Sequence, residues 1–508
     1  MINKNFYKIL LDSMNKHQDR VAIEWGEKHY LKYSDLIKST SQYAETLLQT
    51  GVKPGDRVVV QIQKSPQALI LYLACLSAGL VYVPLNTAYG DRELKFFLEN
   101  AMPKVVIADQ TTDDKIRRVA GDKSNINVIS IDEISKSGAE ATRLSAVVYR
   151  ESSDLAVLIY TSGTTGQPKG AMLTHGNIAN NAEILAKTWL FDESDILLHA
   201  LPIFHIHGLF VANHSALITG AKIIWINKFN TTEVIQNLVK ATIFMGVPTY
   251  YSRLLDDASL NIEKCKNIRL FISGSAPLTE KLQIEFLERA GKKIIERYGM
   301  SEAGIITATP PGSKDSVGTV GICLENYQLR IVDDNNVELG EGDVGEIQIK
   351  GPSLFNGYWR SPQKTDSEFT ADKWFKTGDI GYLNKKKYLS IVGRAKDMII
   401  TGGYNVYPKE VEQMIQKVSD VSEVAVVGVP HHDLGEAVVA VVVPAGHQGI
   451  DENEIRNTLK TQLANYKVPK YIFSVSELPR NAMGKIQKNI IRDNLSNEPQ
   501  ISSSIAKN

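Results

Sequence analysis

Residues 155–170 read LAVLIYTSGTTGQPKG, an apolar and β-branched run followed directly by hydroxyls, glycines and one lysine. The run predicts a strand. The loop after it predicts an anion site, because polyphosphate oxygens only accept hydrogen bonds and are met by bare backbone N–H groups, hydroxyls and an ammonium. Similar runs recur on both sides (RVVVQI, YVPL, KVVIAD, NVISI, AKIIWI, IRLFISG), separated by longer helical patterns up to about residue 300. That alternation predicts an α/β fold whose large N-terminal domain holds mixed, largely parallel sheets with helices.

From Gly318 to Leu389 the pattern changes to short strands with turn signals (LRIVDDNNVELG, GEIQIKGP, KKKYLSIVG), which predicts a β-rich subdomain. After GRAKDMI comes a small α+β domain: a helix in YPKEVEQMIQKV, strands EVAVVGVP and EAVVAVVVP, and a helix in DENEIRNTLKTQL. The boundary is placed at Lys396 and Asp397, giving domains 1–396 and 397–508. The apolar stretch Ala68–Val83 is short for a membrane span and ends at Pro84, so a buried helix followed by a strand is expected there.

Composition narrows the function. Lys plus Arg and Asp plus Glu stand at 57 each in 508 residues, so no overall field draws the chain to nucleic acid or an anionic membrane. Any anion site must be local. Three cysteines, Cys75, Cys265 and Cys323, lie far apart with no CxxC spacing, which suggests neither a disulfide framework nor a thiolate metal site. The N-terminal residues lack a signal-peptide pattern, and a cytoplasmic location with no membrane anchor is expected.

The loop itself admits several readings. A Walker A loop needs GxxxxGK[ST], but Lys169 is preceded by Pro168 and followed by Gly170. A dinucleotide fingerprint is absent, and a solvated surface loop stays open on this segment alone. Other segments decide. YTSGTTGQPKGAMLTH, FISGSAPL, RYGMSE, FKTGDIGY, IVGRAKDMIITGG and PRNAMGKIQK, in this order, resemble the adenylate-forming superfamily of acyl-CoA synthetases, adenylation domains and luciferases. HALPIFHIHGLF, MGVPTYYSRLL, GDVGEIQIKGPSLFNGYWR and TGGYNVYPKE further resemble the malonyl-CoA synthetases.

The resemblance implies a two-step reaction. An acid attacks the α-phosphorus of ATP and pyrophosphate leaves; the thiol of coenzyme A then attacks the acyl-AMP. By that likeness Thr161, Ser162, Gly163, Thr164, Thr165, Gly166 and Lys169 cradle the β- and γ-phosphates. Gly274, Ser275, Ala276 and Pro277, with Arg297, Tyr298, Gly299 and Met300, line the adenine pocket. Ser301 meets the α-phosphate, and Glu302 is the hard oxygen ligand for Mg²⁺. Asp379 accepts from the ribose hydroxyls beside Arg394, and Lys485 neutralises charge in the first step. Rotation at Lys396 and Asp397 then brings Gly402 and Gly403 to the pantetheine.

For the acid, a dicarboxylate would need a fixed cation for its second carboxylate, since a buried unpaired charge is costly. Arg253 is the expected cation, His207 a wall between acid and thiol with a part in catalysis, and Ser273 a polar contact. His205 and His207 have no third metal ligand nearby and are not expected to bind one. One departure matters: Ala303, Gly304 and Ile305 follow the glutamate, where malonate enzymes tend to carry threonine and, two residues on, methionine. Methylmalonate or another short acid therefore competes with malonate. A medium-chain or aryl acyl-CoA ligase, and a non-catalytic nucleotide-binding protein, are the alternatives.

Overall fold

The computed structural model describes residues 2–121, 126–140, 145–161, 168–313, 316–417, 421–446, 450–481, 485–495 and 498. The chain forms two compact units. The first comprises Met1–Gln328 and Lys350–Lys373, the second Leu329–Ile349 and Trp374–Asn508.

The first unit holds two sheets. The six-stranded sheet runs in the order Asn127–Ser130, Val105–Ala108, Arg57–Gln61, Val81–Pro84, Leu155–Thr161, Lys169–Thr174. Only its last pair is antiparallel. Strands such as Val81–Pro84 and Val105–Ala108 are buried along their whole length, which is why they read as unbroken apolar runs. The expected helix in the apolar stretch is Pro66–Ser77. Ser65 caps it by accepting from the Ala68 N–H at 3.2 Å, proline occupies its first turn, and its side chains are buried almost all round. Strand Val81–Pro84 follows, as the sequence predicts.

The nine-stranded sheet runs Ile322–Cys323, Gly304–Ala308, Ile294–Met300, Leu270–Ser273, Ile243–Gly246, Ile196–His199, Lys222–Trp225, Val21–Trp25, His29–Lys32. Its central strands are parallel, so their carboxyl ends share one edge, where open α/β sheets bind ligands. Gly246 pairs with Ser273 and Ser273 with Glu296, which sets Arg297 one residue beyond that edge.

The second unit contains a four-stranded sheet, Gln328–Val332, Gly345–Lys350, Phe375–Leu383 and Leu389–Arg394 in that order, the expected β-rich part. A five-stranded sheet follows it. Helices Pro408–Ile415 and Glu452–Gln462 cover one face through Val411, Ile415, Ile455 and Leu459, while Ile491 and Leu495 pack on the other. The α+β character of the C-terminal part is as predicted, and a single 3₁₀ turn, Ala395–Asp397, links its two sheets. Among the described residues no helix is long and apolar enough to cross a membrane.

Candidate active site

In the first unit, the strand carrying Thr161 ends where the glycine-rich loop begins, and Lys169 opens the returning strand. Ser162, Gly163, Thr164, Thr165 and Gly166 lie outside the described residues. Thr161 and Lys169 are brought to Glu302. The Glu302 carboxylate is buried, and its Oε1 accepts from the Tyr358 hydroxyl at 3.0 Å and from Thr161 Oγ1 at 3.4 Å. Lys169 Nζ sits 5.4 Å from the Tyr358 ring centroid. Burial and then Lys364 lower the Lys169 pKa, while Glu368 and Glu302 oppose the shift.

Tyr358 comes from the GPSLFNGYWR segment and was not singled out as a site residue. The same segment clamps the glutamate by its backbone, for the Phe355 N–H donates to the Glu302 carbonyl at 2.7 Å. Burial first, then the Glu302 charge, raise the phenol pKa, so Tyr358 is a neutral donor. The donors at this point are one carboxylate and two hydroxyls, all hard oxygens. They fit Mg²⁺, which is commonly held by one or two carboxylates together with substrate phosphates and waters. Among the described residues no group of three His, Cys, Asp or Glu forms a self-sufficient metal cage.

A second cluster lies around Arg297. Its guanidinium is buried and, among the described residues, forms no ion pair and has an Nε with no hydrogen-bond partner. Burial pushes its pKa down to about 9. Gly274 makes room for it: a Cβ there would meet the Arg297 side chain at 2.4 Å. The small residue of SGSAP, expected to let a base slide past, thus houses a cation.

Ser275 adopts φ +72°, a strained conformation for a residue with a Cβ. Its Oγ accepts from Arg297 Nη2 at 3.4 Å and lies 3.3 Å from His207 Nδ1. In the tautomer whose Nδ1 accepts from the Ser275 hydroxyl, the His207 proton resides on Nε2. That Nε2 is buried without a partner, as is the hydroxyl of Ser273. Burial, with Arg297 as the leading charge, drives the His207 pKa well below its usual value, so the ring is neutral.

Ala276, Pro277 and Tyr298 to Met300 flank this cluster in sequence; Tyr298 is buried, Gly299 and Met300 are half-buried and Pro277 is exposed. Arg253 is not among the buried groups. It is exposed on helix Pro248–Leu255, one turn from Tyr250, whose pKa burial raises to about 12 against the opposing charge of Arg253. Behind Ser301 and Gly304 an enclosed, mostly apolar cavity of 20 Å³ is lined by Ile206, Phe210, Ala182 and Leu185 among others. It has room for about one water.

In the second unit, Asp379 and Arg394 face each other across neighbouring strands, joined by an Nε–Oδ1 ion pair of 3.0 Å. Asp379 is buried and its N–H donates to Thr377 Oγ1. Lys485 is tied to Asn481 by reciprocal bonds: its N–H donates to Asn481 Oδ1 at 3.0 Å, and its carbonyl accepts from the Asn481 N–H at 2.9 Å. Its residue is exposed, yet desolvation of the ammonium, then the cations Arg394 and Lys396, lower its pKa to about 8 while Asp379 and Asp397 oppose the shift. Asp397 is held by Arg492 at 2.9 Å. Gly402 and Gly403 both take positive φ, +57° and +81°, in the turn that joins two strands, and the Gly402 N–H donates to the Leu434 carbonyl.

The motif residues thus gather as strand-end hydroxyls, a buried glutamate and a buried cation in the first unit, and as the Asp379–Arg394 pair with a depressed Lys485 in the second. The chain belongs to the AMP-binding enzymes, whose family model matches residues 10–359 and whose C-terminal-domain model matches residues 410–485. It is a member of the adenylate-forming acyl-CoA synthetase superfamily. The fold is similar to ATP-bound MatB from Rhodopseudomonas palustris, with TM-score 0.94 and 42% identity over 98% of this chain and 99% of that one. Curated relatives include a long-chain-fatty-acid–CoA ligase of Bacillus subtilis (strain 168), 33% identical over 95% of this chain and 93% of its own length. The mitochondrial malonate–CoA ligase of Mus musculus is 31% identical over 92% and 88% respectively.

Proposed function

We propose that this AMP-forming acid–CoA ligase activates malonate or methylmalonate and releases the corresponding CoA thioester. The observation that carries the reading is the buried, unpaired Arg297 set against two further partnerless buried groups, His207 Nε2 and Ser273 Oγ. A buried cation without a counter-charge is costly, and one carboxylate of the bound acid supplies the missing charge, leaving the distal carboxylate to Arg253. The malonate–CoA ligase relative agrees with this choice, whereas the fatty-acid relative keeps the medium-chain alternative in play.

In this mechanism Arg253 binds the distal carboxylate from the exposed helix face, with Arg297, Ser273 and the His207 N–H completing the acid site. The loop from Thr161 to Gly166 and Lys169 cradle the outer phosphates, and Ser301 holds the α-phosphate. Glu302 would hold Mg²⁺, which when bound would neutralise phosphate charge. Gly274 to Pro277 and Tyr298 to Met300 enclose the adenine, and Asp379 accepts from the ribose hydroxyls beside Arg394. Lys485 donates to the reacting carboxylate and α-phosphate oxygens as their charges meet, so its contribution is greatest in the transition state. Domains 1–396 and 397–508 then re-orient about Lys396 and Asp397, and the Gly402–Gly403 turn lets pantetheine pass close to backbone.

The test is acid-dependent AMP release with ATP, Mg²⁺ and CoA across acetate, malonate, methylmalonate, succinate, octanoate and benzoate, on the native chain and on Arg253→Ala. Preference for malonate or methylmalonate is expected, with a loss of about 1 kcal/mol in Arg253→Ala, as for an exposed charge. A preference for octanoate or benzoate would refute the dicarboxylate reading and leave the ligase class intact.

A further inference from the structure

Lys64 takes no part in the chemistry described so far, yet its ammonium is fully engaged inside the first unit. It donates to the His199 carbonyl at 2.8 Å, the Ile226 carbonyl at 2.7 Å and His199 Nδ1 at 3.2 Å, with the Trp225 ring centroid 4.5 Å away. An ammonium has three hydrogens and no lone pair, so His199 Nδ1 must be the acceptor. The His199 proton then sits on Nε2, which donates to the Gly208 carbonyl at 3.0 Å. Burial lowers both the Lys64 and His199 pKa values well below their ordinary ranges, which agrees with a neutral imidazole.

Gly208 directly follows His207 and lies in the π-helical turn His207–Ala212, a conformation often found at functional sites. Its carbonyl also accepts from Asn213 Nδ2 at 2.9 Å. On its other side the turn is pressed against the loop after strand Ile196–His199, since a Cβ on Gly208 would lie 2.1 Å from the Pro202 carbonyl oxygen. The backbone that carries His207 is therefore fixed from two directions. Lys64 gathers the carboxyl ends of two neighbouring strands, and His199 carries that anchorage to the turn. A lysine used only to fill the core would not need to be linked, through one imidazole, to the carbonyl of the residue next to His207, whose Nε2 has no partner among the described residues.

We propose that Lys64 and His199 are positioning residues that hold His207, through the Gly208 carbonyl, in register with the acid and the incoming thiol. The inference rests on the role given to His207 in the proposed function. A displaced imidazole would impair acyl transfer first, reaching the nucleotide groups only through its contact with Ser275, and small misplacements of a reacting constellation typically cost about 10- to 100-fold.

The experiment is steady-state ligation by the full chain with the acid the substrate panel prefers, varying acid, CoA and ATP in turn. Variants are His207→Ala, Lys64→Met, their combination, His199→Gln and His199→Leu. Lys64→Met is expected to lower kcat/KM for the acid by about 10- to 100-fold while KM for ATP stays within about twofold. The combination should be no worse than the poorer single variant. His199→Gln should retain most activity, because its amide can accept from Lys64 and donate to Gly208, whereas His199→Leu should match Lys64→Met.

Multiplying losses in the combination, or equal damage from Gln and Leu at 199, would overturn the proposal with His207 still assigned. If His207→Ala is itself silent, the reading of His207 fails first and this inference with it. Should Lys64→Met not fold, the Gln and Leu pair at 199 decides alone.

Discussion

The two units handle their cations in opposite ways. In the second unit several cations are met by carboxylates of the protein: Arg394 by Asp379 at 3.0 Å, Arg492 by Asp397 at 2.9 Å and Lys488 by Glu412 at 2.7 Å. In the first, Arg297 is buried with no ion pair among the described residues. The difference teaches where the missing charge comes from. Paired, partly exposed groups hold their geometry whether or not substrate is present. A buried unpaired guanidinium is satisfied only when a ligand brings the anion, so recognition and desolvation are coupled at that one residue.

The contrast can be broken at Lys485 first. Lys485→Ala should lower acyl-AMP formation by roughly 10²- to 10³-fold while leaving thioester formation from supplied malonyl-AMP largely intact. Equal loss in both half-reactions would remove the division of labour between the steps. Next comes Arg297→Met, which should weaken malonate recognition by about 2–5 kcal/mol without lowering the melting temperature, because the apolar side chain removes an uncompensated buried charge. A large drop in thermal stability would instead make Arg297 a structural residue.

The smallest effect is a pH limb. In the proposed role Lys485 acts as a cation, and burial pushes its pKa down to about 8, so the protonated form is lost as pH rises through that point. In stopped assays of pyrophosphate release, kcat/KM should fall about tenfold per pH unit above it. Lys485→Arg, always protonated, should flatten that limb whatever its absolute rate.

Much of the fold was legible because fully buried parallel strands such as Val105–Ala108 leave continuous apolar runs, and the capped Ser65–Pro66 start marks its helix. The order of strands was not legible. Nothing local in Val21–Trp25 says that its parallel partner is Lys222–Trp225. At the site, the motifs brought Thr161, Lys169 and Glu302 into one cluster and Asp379 and Arg394 into another. Lys64 escaped notice because a lysine before Ser-Pro after a strand reads as a solvated loop residue. Only the tertiary fold turns it inward against the ends of two strands. Tyr358 was visible inside a segment that resembled the family, but its bond to Glu302 joins residues 56 positions apart.

The partnership of Val21–Trp25 with Lys222–Trp225 has a consequence for synthesis of the chain. At about 5–20 residues per second, the N-terminal hairpin leaves the ribosome roughly 10–40 s before its parallel neighbour exists. During that interval the strands of the six-stranded sheet, all drawn from residues between 57 and 174, can find one another. The nascent chain thus finishes its inner sheet while holding an unpaired ribbon in reserve, and a slowed ribosome between residues 174 and 222 would lengthen the exposure of that edge to aggregation.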